Sequence, residues 1–86
     1  MDMSYRKEVR RIAKRVRTGG DLYSLASSSE YVCDTGWFSS VMRESNHPEE
    51  YAQMTDSYLE PAEWIALTSH ITFFALCADV RQCLDG

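Results

Sequence analysis

Positively charged side chains are the residues of this chain whose type and spacing could do chemistry, because most of them share one short segment. Seven of the nine Lys and Arg residues lie between positions 6 and 17. They are Arg6, Lys7, Arg10, Arg11, Lys14, Arg15 and Arg17. A row of cations on a rigid rod suits phosphate or carboxylate groups, because each neutralised phosphate releases bound counterions. This segment is therefore the first candidate partner-binding site.

The rest of the chain has the opposite charge. Residues 1–20 carry seven cations and two carboxylates, a net charge of +5, whereas residues 21–86 carry two cations and eleven carboxylates, a net charge of −9. Glu44, Glu49 and Glu50 form the second candidate contact surface, because carboxylates spaced along a helix can imitate a row of phosphates. Both sets of charges also have a plainer interpretation. The acids are favoured near helix N-termini, and the basic run could be a solvated face that the later acids partly neutralise.

Catalytic and metal sites have less support in the sequence. His70 and Cys77 share a predicted helix face but stand about 10.5 Å apart along its axis, too far to share one zinc ion. His70 is interpreted as a core residue. The odd set Cys33, Cys77 and Cys83 forms no CxxC pair, which indicates free thiols in a reducing compartment. Known nucleophile, zinc-protease, P-loop and dinucleotide motifs are missing from the sequence. We therefore predict a protein that is not an enzyme and uses no metal or cofactor.

The length of 86 residues predicts one domain spanning residues 1–86. A hydrophobic fraction of 44% argues against disorder. The longest uncharged run, residues 64–78, is too short and too polar to span a bilayer, and no secretory signal pattern opens the chain. These features predict a cytoplasmic protein without a membrane partner.

The first half of the chain predicts one clear helix followed by shorter ones. Apolar side chains in residues 5–16 recur at helical spacing and fall within an arc of about 100°. Gly19 and Gly20 are expected to end this helix. Asp21 and Asp34 are placed to cap short helices that would follow them.

Two prolines divide the second half. Asn46 and Glu49 have the spacing of a capping box, which predicts a helix from about Pro48 to Leu59. Pro61 suits the first position of a last helix that would run to about Leu84.

The last predicted helix is apolar nearly all round, which is typical of a buried helix. Only a narrow arc that holds Thr68, Thr72 and Asp79 is polar throughout. A strand over residues 71–84 is the alternative, but period-2 alternation is missing there. Trp64, near the start of this helix, is expected to anchor the core. The sequence thus predicts an all-α domain, a bundle of four to five helices around a buried C-terminal helix.

A short, acidic, helical chain without a catalytic motif resembles the small inhibitor and accessory proteins of bacteriophages and mobile elements, such as anti-CRISPR and antirestriction proteins. The resemblance is one of size and composition along the whole chain. It implies a protein that covers a surface of a host complex, often the surface that binds nucleic acid, and it assigns no role to any residue. The chain departs from purely acidic DNA mimics because residues 1–20 carry a net charge of +5.

Taken together, these features predict a non-catalytic protein that binds a host nucleoprotein complex and inhibits it. The seven basic residues and the three glutamates are the predicted contact residues. Two alternatives stay open: a small nucleic-acid-binding regulator that uses residues 6–17, and an assembly or scaffold subunit. The sequence leaves the oligomeric state open.

Overall fold

A computed structural model of the chain describes residues 4–45 and 60–86. In these two ranges the protein is helical and contains no strand, so the predicted all-α fold is confirmed and the alternative strand over residues 71–84 is wrong. The elements are α1 (Ser4–Arg17), α2 (Leu22–Ser27), α3 (Glu30–Cys33), a 3-10 turn (Thr35–Trp37), α4 (Phe38–Glu44) and α5 (Pro61–Asp85). The helix predicted over Pro48–Leu59 lies outside the described residues, together with its capping box.

Helix α5 is the element on which the others assemble. All four shorter helices contact it, and α1 does so most extensively. The core between them contains fully buried side chains from three helices: Ile12 of α1, Val41 of α4, and Leu76 and Val80 of α5. The predicted central position of the C-terminal helix is therefore confirmed.

The predicted helix ends are found close to where the sequence places them. Gly19 adopts a φ of +105°, a left-handed conformation that only glycine adopts without strain, and the Gly20 N–H donates to the Arg15 carbonyl at 2.8 Å. The Asp21 carboxylate caps α2 by accepting from the Ser24 N–H at 3.0 Å. The Asp34 side chain accepts from the Gly36 N–H at 2.9 Å and so shapes the 3-10 turn.

The long helix begins and ends within one residue of the prediction. Pro61 is its first residue, and the Glu63 carboxylate accepts from the Glu60 N–H at 3.1 Å. Asp85 is its last residue. None of the described helices combines the length and the apolar character needed to cross a membrane.

The orientation of α5 about its own axis is unusual, because its polar arc faces the core. Thr68, Thr72 and Asp79 are only 1%, 2% and 5% exposed. Large apolar side chains of the same helix lie outside, with Trp64 38% and Phe74 47% exposed. The expectation that Trp64 anchors the core is therefore wrong. Helix α5 is central but is not buried on all sides.

Each buried polar side chain in this arc has a hydrogen-bond partner. The Thr68 hydroxyl donates to the Ile65 carbonyl at 3.1 Å, and the Thr72 hydroxyl donates to the Ser69 carbonyl at 3.0 Å. The Tyr5 hydroxyl of α1 donates to the Asp79 carboxylate. Because these bonds replace those to water, the core tolerates the polar groups.

Candidate partner-binding surface

Helix α1 presents all seven predicted basic residues to solvent and is fixed to the core by its other face. Tyr5, Val9, Ile12 and Ala13 are buried, and the Tyr5 ring packs edge-on against Tyr31 of α3, with 5.6 Å between ring centroids. The apolar stripe expected from the sequence is thus the packed face. The cations on the opposite side stand on a helix whose position is set by the core.

Three of the seven basic residues are tied to the protein itself. The Arg6 guanidinium donates to the backbone carbonyl of Glu44 at the end of α4, and the Arg17 guanidinium donates to the Cys83 carbonyl of α5, both at 3.0 Å. Arg11 forms an ion pair with Glu8, with nitrogen–oxygen distances of 2.7 and 3.0 Å. Arg6 and Arg17 position α1 against α4 and α5, whereas the Arg11 pair lies within α1. The sequence alone did not separate these three from the rest.

The other four basic side chains have no carboxylate within 4.0 Å in residues 4–45 and 60–86. They are Lys7, Arg10, Lys14 and Arg15. At 100° per residue, Lys7, Arg10 and Lys14 fall within an arc of about 60°. We call these three residues the basic face. Arg15 lies at the far edge of the exposed side of α1.

Glu8 is a largely buried acid at the edge of α1, and the sequence pattern did not single it out. Its side chain is 14% exposed and receives two hydrogen bonds from Arg11. It also accepts from the Ser29 hydroxyl at 2.8 Å, while the Ser29 oxygen accepts from the Tyr31 N–H and caps α3. The hydrogen bonds from Arg11 lower the pKa of the Glu8 carboxyl below its ordinary value, although burial opposes them. The i, i+3 spacing of Glu8 and Arg11 was the signal in the sequence.

A cleft of about 310 Å³ opens beside the basic face, between α1, the end of α4 and the last turns of α5. Arg6, Arg10 and two other residues of α1 line one side, and Glu44 of α4 and three residues of α5, among them Asp79, line the rest. The cleft therefore offers charges of both signs in a space that suits one side chain of a partner.

Of the three acidic candidates, only Glu44 lies in the described part of the chain. Glu44 is partly exposed and lies at the cleft next to Arg6 and Arg10. The structure thus brings the one described member of the acidic set to the basic helix. Glu49 and Glu50 lie outside the described residues.

The three cysteines and His70 differ in how far they are exposed to solvent. All three cysteines are free: Cys33 is exposed, Cys83 is partly buried, and Cys77 is buried, which raises the pKa of its thiol. His70 is exposed and packs edge-on against Phe74, with 4.6 Å between ring centroids, so its interpretation as a core residue is wrong. In the described ranges no group of three or more His, Cys, Asp or Glu side chains could hold a metal ion.

Comparison with protein-family models, with curated proteins and with solved structures found no match to this chain. Function is therefore inferred from the surface of the protein itself, and mainly from α1.

Proposed function

We propose that this protein is a non-catalytic binding protein that covers a surface of a host nucleoprotein complex, in the manner of small phage-encoded inhibitors. The observation that supports the proposal best is the basic face of α1. Lys7, Arg10 and Lys14 point the same way, lack carboxylate partners in the described residues, and stand on a helix held by the core. Cations arranged in this way attract a phosphate-rich or acidic surface over several ångströms and need no rearrangement to bind it.

The proposal gives the seven basic residues two different roles. Arg6 and Arg17 hold α1 against α4 and α5 and Arg11 pairs with Glu8 of the same helix, whereas the basic face contacts the partner. Glu44 lies at the cleft beside the basic face, where it can accept a cationic side chain of the same partner. A surface with both signs would favour a nucleoprotein over bare nucleic acid, because a protein surface also supplies cations.

The test compares two triple variants that remove the same charge from the same helix. In one, Lys7→Gln, Arg10→Gln and Lys14→Gln remove the basic face and should leave the free energy of unfolding within about 1 kcal/mol of the parent. In the other, Arg11→Gln and Arg17→Gln remove two hydrogen-bonded contacts and Arg15→Gln removes a cation at the edge of the exposed side, and together they should lower that free energy by about 1–3 kcal/mol.

Tagged forms of both variants are then used to capture complexes from a bacterial host lysate, with protein and nucleic acid in the eluate measured together. The first variant should lose the nucleoprotein, and the second should keep most of it below its melting temperature. Capture by the parent should weaken as salt rises from about 50 to 300 mM. Equal loss in both variants would mean that net charge alone matters, and equal retention would reject the basic face.

A small nucleic-acid-binding regulator is the second candidate, and the same basic face supports it. The exposed aromatic side chains among the described residues, Tyr23 of α2 and Trp64 and Phe74 of α5, do not interleave with the cations of α1. Single-strand binding usually combines cations with stacking platforms, so a duplex would be the preferred ligand. A gel shift with purified protein and duplex at about 100 mM salt would favour the regulator, and binding only to the assembled complex would favour the inhibitor.

A further inference from the structure

The outer face of α5 carries four exposed side chains in a narrow row. Glu63, His70, Phe74 and Arg81 are all exposed and fall within an arc of about 40° at 100° per residue. Helix α1 contacts the opposite side of α5, where the Tyr5 hydroxyl reaches Asp79. The row therefore points away from α1 and its basic face.

The middle of this row consists of aromatic rings that pack against one another. Phe74 is 47% exposed and is flanked by the rings of His70 and Phe73, with centroid distances of 4.6 and 5.7 Å. Ala66 and Ala78 border the pair along the helix, and both are small enough for a second helix to approach closely. Covering the half-exposed Phe74 ring would remove its apolar surface from water.

The two ends of the row carry opposite charges that cannot reach each other. Glu63 lies near the start of α5 and Arg81 near its end, about 27 Å apart along the axis at 1.5 Å per residue. Arg81 is held in place by Tyr23, to whose hydroxyl it donates and over whose ring it lies at 5.4 Å. Its side chain is thus ordered at the surface before any partner binds.

The spacing of these charges is self-complementary. Glu63 and Arg81 each lie nine residues from position 72. A second α5 running antiparallel, with the two-fold axis at the level of residue 72, places Glu63 opposite Arg81 of the partner subunit at both ends. The same axis places His70 opposite Phe74 of the partner subunit on both sides. A parallel pairing would instead place like charges together, so the pattern selects one orientation.

We propose that this face of α5 is the interface of an antiparallel homodimer, and that a second copy of this chain is its occupant. The dimer leaves the basic face of α1 on the outside of each subunit, because α1 packs on the other side of α5. This goes beyond the proposed function and does not depend on it: a dimer could form whether or not the basic face binds a nucleoprotein.

The experiment measures the mass of the purified full chain in solution by sedimentation over a range of protein concentrations. The parent should dimerise. Glu63→Arg places two arginines opposite each other at both ends, and Arg81→Glu does the same with two glutamates, so each variant alone should dimerise at least tenfold more weakly. Glu30→Arg, on α3 and away from the row, reverses an exposed acid and should leave the dimer unchanged.

Mixing the two variants in equal amounts provides the decisive result. In a mixed dimer each end again joins one Arg to one Glu, so the mixture should dimerise as the parent does although neither component does alone. Circular dichroism of each variant checks that it is folded, and Phe74→Ser provides a second disruption that leaves both charges in place. A parent that stays monomeric at all concentrations overturns the proposal. A dimer that both charge reversals leave intact, or a folded mixture that fails to associate, overturns this interface.

Discussion

Helices α1 and α5 pack against each other but distribute their polar residues in opposite ways. In α1 the apolar side chains face the core and all seven cations face water. In α5 the inward face includes Thr68, Thr72 and Asp79, and the outward face includes Phe74. The first arrangement follows from the hydrophobic effect alone, whereas the second needs specific hydrogen bonds to make it stable.

The difference shows what fixes the rotation of a helix that is apolar nearly all round. Several orientations of α5 would bury similar apolar area, so burial alone does not choose among them. The Asp79 carboxylate can be buried only where a hydrogen-bond donor reaches it, and the Tyr5 hydroxyl is one such donor. The threonines add little constraint because their hydroxyls bond to carbonyls of their own helix. We infer that the contact between Tyr5 and Asp79 sets the orientation of α5 on α1.

The largest expected effect comes from shortening side chains on the shared core. Ile12→Ala in α1 and Leu76→Ala in α5 both remove fully buried groups, and each should lower the free energy of unfolding by about 2–5 kcal/mol. Phe74→Ala removes a larger side chain from the outer face and should cost less than about 1 kcal/mol at protein concentrations too low for association. Urea denaturation followed by circular dichroism provides the three values. A cost for Phe74→Ala as large as that for Leu76→Ala would contradict the orientation of α5.

The next largest effect distinguishes a buried polar group of α5 that bonds to another helix, Asp79, from one that bonds within α5, Thr72. Tyr5→Phe removes a hydroxyl from the buried Asp79 carboxylate and should cost about 1–3 kcal/mol. Thr72→Val removes a hydroxyl that bonds only to its own helix, and should change the free energy of unfolding by less than about 1 kcal/mol.

Thermal melting is sensitive enough to resolve this contrast, since about 1 kcal/mol shifts the melting temperature of a domain this small by about 4–8 °C. The finding that would reject a positioning role for Asp79 is a Tyr5→Phe protein that melts with the parent. Equal losses in the two variants would show that the inward hydroxyls matter only as packed volume.

Local sequence signals predicted the fold where the chemistry is local. The stripe of α1, the glycines after it, the Asp21 cap and Pro61 each act through neighbours in the chain, and each is found as expected. The side of α5 that faces inward could not be predicted, because it depends on a contact between residues 74 positions apart. Trp64 and His70 were misplaced for that reason.

The sequence predicted which segment forms the candidate site, but not which of its cations are bonded to other residues of the protein. All seven cations of α1 are exposed, as the helical pattern required. Which of them are tied down depends on where α4 and α5 end, since Arg6 and Arg17 donate to carbonyls there. The Arg11 pair with Glu8 was within reach of the sequence through its i, i+3 spacing.

The smallest effect concerns Glu8, where the packed and the exposed sides of α1 meet. Hydrogen bonds from Arg11 lower the pKa of the Glu8 carboxyl in the folded protein below the ordinary value of 4.5. An acid with a lowered native pKa stabilises the fold fully above its unfolded pKa, and this contribution is lost as pH falls through the native value. Glu8→Gln can still accept hydrogen bonds from Arg11 and Ser29, so at pH 7 it should cost only about 0.5–1.5 kcal/mol.

The difference in free energy of unfolding between the parent and Glu8→Gln, measured against pH, reports on the Glu8 carboxyl alone. Asp21 also has a lowered pKa, because the Ser24 side chain and backbone N–H donate to it, so the parent should lose stability in acid for more than one reason. Those other contributions are common to parent and variant and cancel in the difference between their free energies of unfolding. That difference should be constant from pH 7 to about 5 and should shrink towards zero as pH falls below about 4, because Glu8 then becomes protonated in both folded and unfolded chains. Urea titrations at five or six pH values measure it. A difference that persists unchanged at pH 3 would mean that Glu8 joins α1 to Ser29 through its hydrogen bonds alone. The charge of Glu8, and with it the ion pair to Arg11, would then add nothing to the position of the basic helix.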